Sequence, residues 1–252
     1  MKCIISCEHA SNRVPPRFSH IFKGKERVLA SHQAYDPGTV ELARRLAEQF
    51  HAPVYLGSIS RLLIDLNRSP SNRKSLYTKY SRMLEQNDRE LLLQKYYHPY
   101  REKIENAVGE IIDKGMPLLH ISLHSFAPVK KGKARKADIG LLYDPARKCE
   151  RDLCALIVVI LKEALVGIRV RRNYPYLGKT DGFTSYLRKK YSAKLYAGIE
   201  IEINQALLLK NDTIKNKMVN VLEEGLSKIL QVNEFSQLAI NDDSRRKPYA
   251  YK

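Results

Sequence analysis

Side chains that could perform acid–base or metal chemistry follow four apolar, strand-like runs of this sequence. In the last of these runs, two glutamates and an asparagine alternate with isoleucines. Alternation places the polar groups on one face of a strand and the isoleucines on the other. A buried strand face lined with carboxylates is costly unless positive charge lies opposite it. The four groups are Glu8 and His9; Asp65, Asn67 and Arg68; His124; and Glu200, Glu202 and Asn204.

A divalent cation would balance these carboxylates, because neutral imidazole and carboxylate are the usual ligands of catalytic zinc. The stretch YDPGTVELA adds Asp36, which stands where a helix is predicted to begin, with Pro37 in its first turn. Taken alone, Asp36 is more typical of a helix N-cap, and His9 of a hydrogen-bonded structural histidine. His120 shares a strand face with His124 but lies deeper in the sheet, so we interpret it as a core residue.

The elements that must position these groups alternate between strands and helices along the chain. Apolar runs predict strands at 2–7, 53–58, 61–66, 118–124, 139–143, 167–172 and 196–203. Helical patterns are found at 39–50, at 77–114 with a break near Pro99, and at 152–165. This alternation predicts an α/β fold of three layers, a mostly parallel twisted sheet with helices on both faces. In such sheets the site lies beyond the carboxyl ends of the strands.

The composition indicates a globular protein with one core. The chain has 252 residues, of which 44% are hydrophobic, so we predict a single domain over 1–240 and a polar tail over 241–252. Charged residues make up 28%, and no apolar run approaches the ~20 residues of a membrane span. The N-terminus lacks the apolar region of a signal peptide. Four cysteines without a C-x-x-C pair indicate reduced thiols and a cytoplasmic location.

The formal net charge of +17 is compatible with nucleic acid, an anionic surface or an anionic substrate as partner. Charge alone does not choose among these classes. The dense basic clusters lie at 130–138 and 187–190. Like-charge blocks are usually solvated, so we interpret both clusters as exposed. No helix-turn-helix, zinc-finger or RNP-like pattern supports nucleic-acid binding, and no pattern predicts an oligomeric state.

Eight motifs in the chain resemble the N-formylglutamate amidohydrolase family and occur in the family's order. From residue 6 to about residue 208 they read SCEHASNRVP, YDPG, SRLLIDLNRS, YYHPY, HSFAP, IGLLYD, RNYPYLGKTDGFT and GIEIEINQALL. The family is similar in fold to zinc carboxypeptidases and to the aspartoacylase and succinylglutamate desuccinylase group. The resemblance implies hydrolysis of a small anionic N-acyl amino acid, most simply N-formyl-L-glutamate, with one zinc ion or another divalent metal per chain. The alternatives are a deacylase or peptidase for another N-acyl substrate, a nucleic-acid-binding protein and an inactive anion-binding relative.

The resemblance implies that His9, Asp36 and His124 bind the metal. Carboxypeptidase-like sites take a histidine after an early strand, an acidic residue at the start of the next helix and a histidine from a central strand. The carboxypeptidase pattern H-x-x-E is not kept, because Asn12 stands at the position of the glutamate. Glu8 is therefore the alternative acidic ligand.

The resemblance also implies the catalytic roles. Glu202 is the predicted general acid–base residue, and Glu200, on the same strand face, is the alternative. Arg61 is predicted to stabilise the tetrahedral intermediate, and Asp65 to orient an arginine.

Asn67 and Arg68 are predicted to hold a carboxylate of the substrate, because a guanidinium group offers a bidentate fork that an ammonium group lacks. The further predicted substrate contacts are Asn12, Arg172, Asn173 and Tyr176.

Overall fold

A six-stranded sheet forms the centre of the molecule. The structure, a computed structural model, describes residues 1–210 and 212–231. The strands are β1 Lys2–Cys7, β2 Val54–Leu56, β3 Leu118–Phe126, β4 Val129–Lys130, β5 Lys133–Ala134, β6 Ile139–Leu142, β7 Val170–Arg172 and β8 Tyr196–Asn204. The order in the sheet is β2-β1-β3-β8-β6-β7, while β4 and β5 form a separate hairpin.

Most neighbouring strands of this sheet are parallel. β1 pairs in parallel with β2 and with β3, β3 with β8, and β6 with β7, whereas β6 and β8 run antiparallel. The carboxyl ends of β1, β3 and β8 therefore meet at one edge. The prediction of a mostly parallel sheet is confirmed, and this edge is where sites form in such sheets.

Helices lie on both sides of the sheet. They are α1 Glu26–Leu29, α2 Thr39–Gln49, α3 Arg73–Leu76, α4 Gln86–Leu92, α5 His98–Ile112, α6 Lys148–Ala164, α7 Phe183–Lys190, α8 Gln205–Lys210 and α9 Asp212–Gln231. A 3-10 helix spans Pro16–Phe22, and a π-helical turn spans Leu93–Tyr97.

The two faces of the sheet pack against different helices. The face that carries Ile199, Ile201 and Ile203 packs on α2, α6 and α9. The other face packs through Leu118 and Tyr196 on α5 and α7. Removing these apolar side chains from water, at about 25 cal/mol per Å², holds the layers together. The predicted three-layer α/β fold is confirmed.

The apolar run at 61–66 is not a strand, so that prediction is wrong. Its backbone turns, because Leu63 N donates to Ser60 O and Asp65 N donates to Leu76 O. Consecutive apolar residues fit a buried turn as well as a buried strand, and periodicity does not separate the two. The apolar residues of this segment are buried in a cluster beside the sheet: Leu62, Leu63, Ile64 and Leu66.

Helix α2 begins at Thr39, where the helical pattern at 39–50 starts, but Pro37 is not in its first turn as expected. Gly38, with a φ of 82°, precedes the helix, so Pro37 lies outside its first turn. Glycine is required here because the backbone is left-handed and a Cβ would lie 2.9 Å from the Leu208 Cβ. Asp36 therefore does not cap the helix, and its carboxylate is left to contact other groups.

The helical region predicted at 77–114 is helical from residue 86 to residue 112. Pro99 lies in the first turn of α5, where a missing N–H costs no hydrogen bond. The predicted break is thus a π-helical turn that leads directly into α5.

Among the residues that the structure describes, no helix is long and apolar enough to cross a membrane. The predicted tail at 241–252 lies outside the described residues, and a single domain over 1–240 stays a prediction.

Candidate active site

Two histidines and an aspartate form a buried cluster at the carboxyl edge of the sheet. His9 follows β1, His124 lies near the end of β3, and Asp36 precedes α2. The Nδ1 atoms of His9 and His124 are 3.2 Å apart and lie 3.3 and 2.9 Å from Asp36 Oδ2, respectively. Each of the three residues is at most 3% exposed. The fold thus brings together the three residues predicted to bind a metal.

The cluster has the dimensions of a metal-ligand set. Ligand atoms around a tetrahedral zinc ion, with bonds of about 2.0–2.1 Å, are about 3.3–3.4 Å apart. The three separations here, between 2.9 and 3.3 Å, are close to that value. Each residue offers one ligand atom to a shared centre. Three protein ligands of imidazole and carboxylate type also leave a position for water, so the set fits a catalytic divalent metal.

The outer nitrogen of each histidine meets a second carboxylate. His9 Nε2 is 2.7 Å from Asp65 Oδ1, and His124 Nε2 is 3.2 Å from Glu8 Oε2. Metal-binding histidines usually donate their other N–H to such an acceptor, which fixes the tautomer and the ring orientation. Glu8, the alternative ligand, therefore contacts the far side of His124 and lies outside the three-atom cluster.

The opposite charges within the cluster favour the ionised forms of Asp36 and His124. Burial alone would raise the pKa of Asp36, but His9, His124 and Arg61 hold it well below its usual range. Burial alone would lower the pKa of His124, but Asp36 and Glu8 raise it well above its usual value. The cluster is therefore a buried anionic environment that stabilises positive charge at its centre.

Glu202 lies beside this cluster, and one of its carboxyl oxygens makes no hydrogen bond to the described residues. It pairs with His124 in the register of β3 and β8. Burial raises its pKa to about 7, with Asp36 and Glu200 acting in the same direction and His124 against it. Its Oε2 is buried and has no hydrogen-bond partner among the described residues. A carboxyl group that titrates near neutrality beside a metal-ligand set is suited to exchange protons with a substrate.

Glu200 lies on the same strand face, but its carboxylate is engaged. It pairs in register with Ser122, and its Oε1 accepts a 2.5 Å hydrogen bond from Thr184 Oγ1. Its position is two residues, or about 7 Å, deeper along the strand than that of Glu202. The geometry favours Glu202 over Glu200 as the acid–base residue, and this choice stays a prediction.

Arg61 connects the cluster to the rim of the site. Its Nη1 is 3.4 Å from Asp36 Oδ1, and its Nη2 is 2.9 Å from Asp65 Oδ2. Burial opposes the charge on Arg61, but Asp65 and Asp36 outweigh it and raise the pKa, and Tyr176 adds to this increase. The Arg61 side chain is 27% exposed, against 3% for Asp36. Asp65 therefore orients an arginine, as predicted from the resemblance, and contacts a histidine of the cluster as well.

Asn67 reaches the cluster, and Arg68 borders it. The Nδ2 atom of Asn67 lies 3.3 Å from His124 Nε2, and its Oδ1 accepts a hydrogen bond of 2.6 Å from Phe183 N. The guanidinium group of Arg68 donates to the backbone oxygen of Asp181, in the loop before α7. The two predicted substrate contacts are thus held by the same loop and helix start.

Asn12 and Asn173 use their side chains to hold loops. The Asn12 amide donates to Leu29 O over 3.0 Å. The Asn173 Oδ1 atom accepts hydrogen bonds from the backbone N–H groups of Tyr143 and Gly178. Both side chains thus have partners within the protein, and the substrate contacts expected of Asn12 and Asn173 stay predictions.

Arg172 is exposed at the end of β7, and Tyr176 follows it by four residues. Burial raises the pKa of the Cys154 thiol, and Arg172 is close enough to oppose that shift. Cys154 belongs to the core on the α6 side of the sheet, and the substrate contact expected of Arg172 stays a prediction. The Tyr176 ring is 40% exposed and close to Arg61, which places it at the rim of the site.

A chain of buried hydrogen bonds behind the cluster was not predicted. Tyr196 Oη is 2.8 Å from His120 Nδ1, and His120 Nε2 is 2.8 Å from Ser6 Oγ. Ser6 and Ser122 each donate to an oxygen of Glu8 over 2.7 Å. The signal in the sequence was the presence of Ser6 and Ser122 within the mostly apolar runs of β1 and β3. These contacts fix Glu8 behind His124 and agree with the interpretation of His120 as a core residue.

A metal-ligand set at the carboxyl edge of a mostly parallel, helix-covered sheet is typical of hydrolases that activate water. The model of one family, N-formylglutamate amidohydrolase, matches residues 1–209 of the chain. The chain therefore belongs to the N-formylglutamate amidohydrolase family, whose members are hydrolases acting on amide bonds, and the resemblance found in the sequence is confirmed.

Two solved structures share this fold over nearly the whole chain. A gene product from Agrobacterium tumefaciens is 28% identical, with a TM-score of 0.76, over 91% of this chain and 92% of that one. An N-formylglutamate amidohydrolase from Ralstonia eutropha is 17% identical, with a TM-score of 0.66, over 92% of this chain and 95% of that one. No curated protein matches the chain.

Proposed function

We propose that the protein is a zinc-dependent amidohydrolase that hydrolyses N-formyl-L-glutamate to formate and L-glutamate. The observation that carries the proposal is the placement of Glu202, with a pKa of about 7, opposite His124 of the metal-ligand set. Membership of the family supports an amide bond as the target.

His9, Asp36 and His124 would hold the zinc ion. When bound, the ion would lower the pKa of a water molecule to about 7 and so supply a nucleophile at neutral pH. Asp65 and Glu8 accept the outer N–H groups of the two histidines and keep both rings oriented toward the shared centre.

Glu202 moves the proton that the reaction requires. It accepts a proton from the attacking water as the water oxygen adds to the formyl carbon. It then gives this proton to the amide nitrogen and the C–N bond breaks. The proton left on the acid product passes to the released amine, and formate and L-glutamate leave. A carboxylate beside the shared centre can make both transfers, and such a residue contributes about 10²–10⁴-fold to the rate.

Arg61 stabilises the formyl oxygen as negative charge develops on it. Asp36 and Asp65 each bind one of its terminal nitrogens, which orients the guanidinium group. A guanidinium group has five N–H donors, so others remain for the substrate. Loss of one such donor costs about 3–4 kcal/mol in the barrier.

Asn67 and Arg68 would bind the α-carboxylate of the substrate, and Tyr176 would contact it from the rim. The partner of the site is thus a small anionic N-acyl amino acid, and a cytoplasmic location stays a prediction. A deacylase for a different N-acyl amino acid would use the same cluster and differ in the space for the acyl group.

A panel of N-acyl amino acids tests the proposal. Chelator-treated protein and zinc-reconstituted protein would be assayed with the N-formyl, N-acetyl and N-succinyl derivatives of L-glutamate. We expect release of L-glutamate from the formyl derivative with zinc and none without it. A preference for another acyl group would favour the alternative deacylase. Failure of the zinc-loaded protein to hydrolyse any of them would contradict the proposed function.

A further inference from the structure

Two buried side-chain polar atoms have no hydrogen-bond partner among the residues that the structure describes. They are Glu202 Oε2 and Arg135 Nε. Buried polar groups in native proteins are nearly always paired, so each exception requires an explanation. Glu202 is explained by its role in proton transfer. Arg135 belongs to the basic segment 130–138 that the sequence indicated to be merely exposed.

The guanidinium group of Arg135 lies over two aromatic rings. Its Cζ lies 5.3 Å from the centre of the Phe126 ring and 5.1 Å from that of Tyr176. Its Nη2 donates to Tyr176 Oη over 3.1 Å. The backbone of Arg135 is fixed as well, because its N–H donates to Pro128 O at the base of the β4–β5 hairpin. Stacking of this kind orients an arginine and leaves its in-plane N–H groups for a planar anion.

Both rings lie beside the candidate active site. Phe126 is two residues beyond His124 on β3 and shares its strand face, because side chains alternate. Tyr176 is close enough to Arg61 to raise its pKa. Arg135 is therefore at the rim, above the end of β3, whereas Arg68 is held separately by Asp181 in the loop before α7.

We infer that Arg135 is a specificity residue that binds the side-chain carboxylate of the substrate, while Arg68 binds the α-carboxylate. This inference rests on the proposed function. The unpaired Nε–H would donate to the carboxylate, and a charge-assisted hydrogen bond at a partly buried site is among the stronger polar contacts in proteins. A neutral amide side chain could accept this hydrogen bond through its oxygen but carries no charge, so the site would bind it less tightly than a carboxylate.

The test compares N-formyl-L-glutamate with N-formyl-L-glutamine, which has nearly the same shape and a neutral side chain. Both would be assayed with the zinc-loaded wild type and with Arg135→Gln, Arg135→Lys and Lys133→Gln. Lys133 is exposed on the same hairpin, so its variant controls for the loss of one positive charge. Thermal unfolding of each variant would show that it is folded.

We expect Arg135→Gln to raise KM for the glutamate derivative by about 10- to 100-fold, the effect of losing a hydrogen bond to a charged group. Its kcat, and its kinetics with the glutamine derivative, would stay within about threefold of wild type. Arg135→Lys would recover part of the loss, because it restores the charge without the fork. Lys133→Gln would behave as wild type. Equal losses on both substrates, or no loss on either, would overturn the inference.

Binding of L-glutamate and L-glutamine, measured by calorimetry on the same zinc-loaded proteins, separates this inference from the proposed function. If the wild type hydrolyses neither formyl derivative, the proposed function fails. Arg135 would still be supported by a wild-type preference for L-glutamate that Arg135→Gln loses. An unchanged preference in that variant, or no binding of either amino acid by the wild type, would contradict its role.

Discussion

Glu202 lies directly opposite His124 in the register of β3 and β8, and its Oε2 is buried without a hydrogen-bond partner among the described residues. The Nε2 atom of His124, which points away from the cluster, contacts Glu8. One strand pair thus places an ionisable carboxyl group next to a residue of the candidate metal-ligand set. Most of the chemistry proposed for this protein depends on that arrangement.

Substitution of Glu202 by glutamine should stop turnover without loss of metal. Because a general acid–base residue contributes about 10²–10⁴-fold, kcat of Glu202→Gln should fall by that factor while KM changes by a few-fold at most. Glu200→Gln is the matched control on the same strand face and should lose less. Steady-state kinetics with metal analysis would decide between them. Near-normal turnover in Glu202→Gln together with an inactive Glu200→Gln would assign the base to Glu200.

The raised pKa of Glu202 should also be visible in the stability of the metal-free protein. Its pKa rises from 4.5 to about 7 on folding, mainly because of burial, so its neutral form favours the folded state. This contribution is present below pH 4.5 and is lost as the pH rises through about 7.

The wild type should therefore lose stability relative to Glu202→Gln by about 2–3 kcal/mol between pH 5 and pH 8, since one pKa unit is worth about 1.4 kcal/mol. Denaturant unfolding of both proteins across this range would measure the difference. Parallel stability curves would show that Glu202 does not titrate with a raised pKa.

Loss of His124 should remove the metal. His124→Ala deletes a ligand atom from the cluster, so both zinc content and hydrolysis should disappear while the secondary structure, measured by circular dichroism, remains. His120→Ala is the control on the same strand face. It removes a core contact between Tyr196 and Ser6, so it should lower the unfolding temperature but keep the zinc. Full zinc content in His124→Ala would reject His124 as a ligand.

Because Glu8 contacts His124 and lies outside the three-atom cluster, its substitution should weaken zinc binding less than substitution of Asp36. Substitution of a carboxylate that accepts the outer N–H of a metal-binding histidine usually weakens metal binding by about 10–100-fold. Glu8→Gln and Asp65→Asn should both show losses of this size, whereas Asp36→Asn should abolish stoichiometric binding. Competition with a chromogenic chelator would measure all three. Complete loss of zinc in Glu8→Gln, with binding retained in Asp36→Asn, would show that Glu8 is the acidic ligand and Asp36 is not.

The strict alternation of β8 allowed its polar face to be predicted from sequence alone. A period of two residues leaves one arrangement for Glu200, Glu202 and the three isoleucines once the strand is buried on both faces. The structure has that arrangement, with the isoleucines in the core against α2, α6 and α9.

Contacts between distant segments could not be predicted in this way. The run at 61–66 lacks a period, so its turn was missed, and with it the contact of Asp65 with His9. Arg135 was missed for a related reason. Its neighbours in sequence are exposed basic residues, and its burial depends on Phe126 and Tyr176, which belong to other segments.

The most direct test of the proposed function is a titration of zinc into metal-free protein, with formate release from N-formyl-L-glutamate measured at each addition. We expect no turnover without zinc, a linear rise up to one zinc ion per chain, and no further rise beyond it. Turnover that persists in the metal-free protein, or a fully zinc-loaded protein that releases no formate, would contradict it.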